Sequence, residues 1–152
     1  MSSNTFTKIL VPIDSSKNAD KALSKAIVIG KKFDSELILI HVISDFIVDF
    51  SITDEGFQIP DTEVIKIRTA VREQAKNMIE ERLDIVRKKN VKCKSHIFIG
   101  DISSEIIRCS VMDNVDLIVM GARGLGKFKQ LLLGSVSNKI VVGSRCPVLI
   151  VK

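Results

Sequence analysis

Apolar residues fall along this chain in two alternating rhythms, and the alternation predicts the fold. Lys8-Ile-Leu-Val-Pro-Ile13 is a short apolar run ending at Asp14, and Glu36-Leu-Ile-Leu-Ile-His-Val42 is a second. Continuous runs of this length between polar flanks read as strands buried on both faces. Between them Ala19, Ala22, Leu23, Ala26 and Ile27 recur at three- and four-residue spacing. That spacing predicts a helix, capped by Ser15 or Ser16, with one face on a sheet. From about Thr62 to Lys89 the residues Val64, Ile67, Val71, Met78, Leu83 and Val86 trace a stripe close to the 3.6 period. Strict heptads are not sustained and strands flank it, which favours a crossover helix over a partner coiled coil. Val91 to Ile99 alternates as a third strand, Gly100-Asp101 opens a short helix to Met112, and Asp116 to Met120 is a fourth strand. A further helix starts near Ser135, and Pro147 to Val151 closes the chain as a fifth strand.

Strands separated by helices need right-handed crossovers, hence an α/β fold: an open parallel sheet of five strands with helices on both faces. With 152 residues, one domain over 1–152 is expected, burying roughly two-thirds of its chain surface. Ligands of such sheets bind beyond the carboxyl ends of the strands, where the winding reverses. A strand order of 3-2-1-4-5 reverses between the first and fourth strands and sets Asp14 beside Gly121. The stretch from Ser44 to about Asp61, with Phe46, Phe50 and Phe57 among acids, is too aperiodic for a helix or strand. A lid or partner surface is one reading, and a surface loop with its phenylalanines tucked onto the body is the more usual one.

The residues between the fourth strand and the last helix carry the chemistry. Gly121-Ala-Arg-Gly124, nine residues, then Gly134-Ser135 place glycines between a buried strand and a helix start. Without a Cβ, backbone N–H groups can approach an anion closely, and a helix start favours negative charge. Arg123, Lys127 and Lys129 add cations to the same loop, which points to phosphate. Gly121-Ala-Arg-Gly-Leu-Gly126-Lys127-Phe128 approaches the phosphate loop of P-loop nucleotidases. That motif requires Ser or Thr after the lysine to ligate Mg²⁺, and Phe128 stands there instead. Asp14 is a carboxylate able to accept ribose hydroxyls or hold a metal's water shell, or else a helix-capping acid.

Composition narrows the partners. The formal charge is +5, with no acidic residue after Asp116, so the final third is cationic. Trp and Tyr are absent and no nucleic-acid module is recognisable, so a small polyphosphate suits the glycines better than nucleic acid. The polar amino terminus and the lack of a long apolar run predict a cytoplasmic protein with no membrane partner. Cys93, Cys109 and Cys146 form no Cys-x-x-Cys pair, so buried thiols are expected rather than a disulfide framework. Cys93 and His96, three apart in a strand, should point to opposite faces and not share a metal. No general base stands out for phosphoryl transfer, there is no Gly-x-Ser-x-Gly elbow, and His41 reads as a satisfied strand-end residue.

The glycine spacing, together with Val11-Pro12-Ile13-Asp14 and Arg145-Cys-Pro-Val-Leu-Ile-Val151, resembles the universal stress protein family over nearly the whole chain. The resemblance is to its ATP-binding branch, with a Rossmann-like fold of the adenine nucleotide alpha hydrolase kind. It implies ATP with Mg²⁺ or Mn²⁺ in the crevice, as part of a stress or signalling module with at most slow hydrolysis. Carried over by position, Pro12, Ile13 and the Val42 backbone wall the adenine, while Asp14 faces the ribose or, indirectly, the metal. Met120, Gly121 and Gly124 line the ribose and phosphate approach. Gly134, Ser135, Val136 and Ser137 offer N–H and hydroxyl groups to phosphates, with Arg123 nearby. The resemblance also implies a homodimer, and residues 147–151 offer an apolar edge strand for it.

Overall fold

The computed structural model describes residues 6–45, 60–124 and 133–152. The expectations for the phenylalanine-bearing loop and for Gly126, Lys127, Phe128 and Lys129 lie outside those residues. Nine elements alternate along the described chain: β1 (Lys8–Pro12), α1 (Lys17–Phe33), β2 (Glu36–Ser44), α2 (Asp61–Lys88), β3 (Lys92–Gly100), α3 (Ile102–Met112), β4 (Leu117–Gly121), α4 (Ser135–Gly143) and β5 (Val148–Val151). All pairings are parallel and the order is β3-β2-β1-β4-β5, as the alternating rhythms predict.

The continuous apolar runs are explained by two cores, one on each face. Odd-numbered β1 and β2 residues Ile9, Val11, Leu37 and Leu39 meet α1 and α2 through Leu23, Ile27, Ile79 and Leu83. Their neighbours Leu10, Ile38, Ile40 and Val42 point the other way, toward Ile106 and Cys109 of α3 and Ile140 of α4. In β4, Leu117 and Val119 join the first core while Ile118 and Met120 join the second. A strand with period-two side chains and helices on both sides has no polar face.

The buried face of α2 differs from its sequence stripe. Only Ala75, Ile79, Leu83 and Val86 are buried, all in its second half. Val64 and Val71 are half-buried, and Ile67 is 44% exposed. The reason is length: a 28-residue helix runs about 42 Å. The 9-residue β2 and β3 that it covers span about 30 Å, so the helix overhangs the sheet among the described residues.

Candidate functional site

The crevice follows from how the two central strands pair. β1 and β4 are in register at only two positions, Ile9 with Leu117 and Leu10 with Ile118. Beyond them the strands diverge. On the other side β1 stays paired with β2 as far as Pro12 with Ile40, and Ile13 N–H donates to the Ile40 carbonyl at 2.8 Å. Backbone groups repeat their direction every second residue, so those of Val42 face the same side, past the end of β1. Asp14 is thus delivered to the mouth of the gap, opposite the β4 exit.

Asp14 divides its carboxylate. Oδ1 accepts from Ser16 N–H at 3.0 Å, an Asx-type turn that leads into α1. Ser16 itself caps that helix, its Oγ accepting from Ala19 N–H at 3.1 Å. Oδ2 looks across the gap: a Cβ on Gly124 would sit 2.7 Å from it. The cap of α1 is therefore Ser16 and not Asp14, whose second oxygen faces Gly124. His41 braces the neighbouring turn, with Nδ1 2.8 Å from the Ile13 carbonyl. A carbonyl only accepts, so Nδ1 carries the proton.

The glycine loop is pinned at both ends. The Ala122 carbonyl accepts from Gly134 N–H and from the Ser137 hydroxyl, each at 2.7 Å. Ala122 N–H donates to the Val151 carbonyl at 2.9 Å, and the Asn18 side-chain amide donates to the Arg123 carbonyl at 3.3 Å. Ala122 and Gly134, at the two ends of the glycine motif, are thereby held together. Gly134 is the cap residue of α4 and supplies no side-chain hydrogen bond, which leaves the first N–H groups of the helix to other acceptors.

The predicted residues take distinct positions around this centre. Asp14, Arg123, Gly124, Gly134, Ser135 and Val136 are exposed or half-buried at the mouth. Gly121 faces elsewhere: its missing Cβ admits Asn18, whose Cβ would lie 2.8 Å from one, so this glycine lets β4 abut the first turn of α1. The Ser137 side chain is buried and directed at the Ala122 carbonyl, where it holds the loop. Ile13, Val42 and Met120 are buried, and Pro12 is half-buried beside them. Sequence reasoning missed Asn18, and its polar side chain on the first turn of α1 was the available signal.

The fold and this crevice define a class: an open parallel α/β protein with a glycine loop and a strand-end carboxylate at its switch point. Comparison with known proteins gives the family. The universal stress protein family model matches residues 5–152, and the chain belongs to that family. Universal stress protein YxiE of Bacillus subtilis is 33% identical over 147 residues, covering 97% of this chain and 99% of the relative. The solved structure of the protein MJ0577 superimposes with a TM-score of 0.84 at 30% identity, covering 97% of this chain and 96% of that one. UspA from Lactobacillus plantarum superimposes with a TM-score of 0.81 at 25% identity, covering 99% of this chain and 100% of that one.

Proposed function

We propose that this chain is an adenine-nucleotide-binding universal stress protein, taking ATP with Mg²⁺ or Mn²⁺, whose nucleotide state sets its shape and partners. The observation that carries the reading is the approach of Asp14 Oδ2 to Gly124, in a gap where a Cβ would stand 2.7 Å from the carboxylate. That gap is bounded by a helix start without a side-chain cap, which suits phosphate. Proteins of the same fold have been solved with AMP, from Arabidopsis thaliana at 21% identity, and with dAMP, from Archaeoglobus fulgidus at 17%.

In this reading the Val42 backbone, Ile13 and Pro12 wall the base. Asp14 meets the ribose or the metal's water shell through Oδ2, Gly124 leaves room for phosphate, and Gly134, Ser135 and Val136 supply N–H donors. Met120 and Gly121 shape the wall behind them, Ser137 fixes the loop, and Arg123 adds charge. The divalent ion would neutralise the triphosphate.

A homodimer through β5 belongs to the same proposal. β5 is the outer strand, paired to β4 on one side, with Leu149 39% exposed. Val142 on α4 is 79% exposed. An apolar edge of this kind is covered by pairing with a second copy across a two-fold axis.

Calorimetric titration of nucleotide-stripped protein with ATP, with and without Mg²⁺, tests the site. Micromolar or tighter binding is expected. No heat with ATP, ADP or AMP would overturn it and leave a nucleotide-independent scaffold.

A further inference from the structure

Three different metal-ligating side chains converge at the other edge of the sheet, on β3 and α3, and the nucleotide reading uses none of them. Cys109 and Asp113 lie four residues apart at the end of α3, one turn above the other on the same side. His96 reaches them from the middle of β3. Its Nε2 is 2.8 Å from Asp113 Oδ2, and Cys109 Sγ is 3.9 Å from the same oxygen. The three ligand atoms all lie within 4.8 Å of one another. Cys93, on the opposite face of β3, packs into the other core, so it is not part of the group.

We propose that His96, Cys109 and Asp113 form a Zn²⁺ site independent of the nucleotide crevice. An imidazole nitrogen, a thiolate sulfur and a carboxylate oxygen make a donor set suited to a borderline-soft divalent ion, and not to Mg²⁺ or Ca²⁺. Tetrahedral zinc with ordinary bond lengths separates such donors by about 3.3–3.8 Å. The hydrogen-bonded pair at 2.8 Å has to open by under about 1 Å, and the remaining separations, none above 4.8 Å, have to close by about as much. On binding, the proton that His96 Nε2 shares with Asp113 is given up, leaving the neutral ring with its proton on Nδ1; the ion takes the Nε2 lone pair so freed and replaces the thiol proton of Cys109, and the displaced protons leave to solvent. Cys109 is fully buried, whereas the His96 and Asp113 side chains are 26% and 14% exposed. The fourth coordination position therefore opens on their side, where water can occupy it.

The surroundings hold these ligands in place. The His96 ring stacks on Phe98, with centroids 5.4 Å apart and planes 17° apart, and the Arg108 guanidinium lies 4.8 Å above the Phe98 ring. The Asp113 carbonyl accepts from Lys8 Nζ at 3.0 Å, which fixes the end of α3 against β1. Lys94 Nζ is 3.7 Å from Asp113 Oδ1, the oxygen that the ion does not need. The Lys94 side chain is 40% exposed, so its ammonium can turn to solvent as the ion arrives. The competing account is a His–Asp bridge that staples β3 to α3 above an inert thiol, and it predicts no affinity for metal.

The experiment is a titration of the untagged, nucleotide-stripped full chain with Co²⁺ as spectroscopic probe, followed by displacement with Zn²⁺. One Co²⁺ per chain is expected, with a thiolate-to-cobalt charge-transfer band that Zn²⁺ abolishes. Cys109→Ser should remove the band, and Cys109→Ser and His96→Ala should each weaken Zn²⁺ binding by about 100-fold or more, since even outer-sphere losses reach that range. A Cys93→Ser/Cys146→Ser variant should bind as the unaltered protein does. Thermal unfolding gives a readout that needs no variant, because Zn²⁺ above its dissociation constant must raise the Tm of the unaltered chain. Absence of the charge-transfer band, an unmoved Tm, or equal Zn²⁺ affinity in Cys109→Ser would overturn the site.

Discussion

Asp14 and Gly124 face each other across the gap between β1 and β4, so close that a Cβ on the glycine would meet Asp14 Oδ2 at 2.7 Å. Gly124 is exposed and makes no core contact, so its smallness serves the gap and not the packing. Gly124→Val should therefore weaken ATP binding by about 10-fold or more, about 1.4 kcal/mol, while far-UV dichroism and Tm stay as they were. Asp14→Ala is expected to lose affinity as well. Unchanged calorimetric affinity in Gly124→Val would remove this gap from the binding site.

Ser137 leads to a stability prediction. Its buried hydroxyl donates to the Ala122 carbonyl, which also takes Gly134 N–H. Ser137→Ala leaves that carbonyl one donor short and should cost about 1–2 kcal/mol in urea unfolding. The same variant should loosen residues 122–134, seen as faster amide exchange there. Equal stability of the two proteins would show that the hydroxyl is not what holds the loop.

Leu149 tests the association of two copies. It lies on the outer strand and is 39% exposed, whereas Val151 is packed into the first core. A charge at Leu149 should thus separate copies without unfolding either. Leu149→Lys is expected to halve the mass by light scattering with little change in dichroism. A dimer that survives this substitution would place the interface elsewhere.

Asp116 predicts the acid response. Its burial pushes the carboxyl pKa up, but donors from Thr7 N–H, the Thr7 hydroxyl and Lys8 N–H outweigh this and hold it below the ordinary carboxylate value. A depressed folded value means that the unfolded state binds the proton more readily. The contribution to stability is therefore complete above the unfolded pKa, about 3.9, and is lost as pH falls through the folded value. Asp116→Asn should lower Tm at pH 7 by the equivalent of roughly 1 kcal/mol, with the difference shrinking below about pH 4. A constant difference across that range would count against the Thr7 and Lys8 donors as its cause.

Particular residues show where sequence reading reaches and where it stops. The buried runs of β1, β2 and β4 were legible because a strand covered on both faces has no polar alternation to hide it. The start of α3 at Gly100-Asp101 was legible too, because a helix start is a local signal; the structure adds that Asp101 caps it by accepting from Ser104 N–H. The first half of the α2 stripe misled, because periodicity reports an apolar face without saying whether a sheet lies opposite it. Gly121 and Gly124 look alike in the motif. One makes room for Asn18 and the other for the Asp14 carboxylate, and only the packed strands and helices distinguish them.

The sequence by itself determined the alternation of elements, the two-faced core and the family, because hydrophobic period and glycine spacing are properties of neighbouring residues. Tertiary structure decided what lies beside what. The divergence of β1 from β4 sets Asp14 opposite Gly124, and the packing of α3 on β3 brings His96 to Cys109 and Asp113. Such contacts join residues separated by many positions, and only the strand order and the packing of helices on the sheet fix which of them meet.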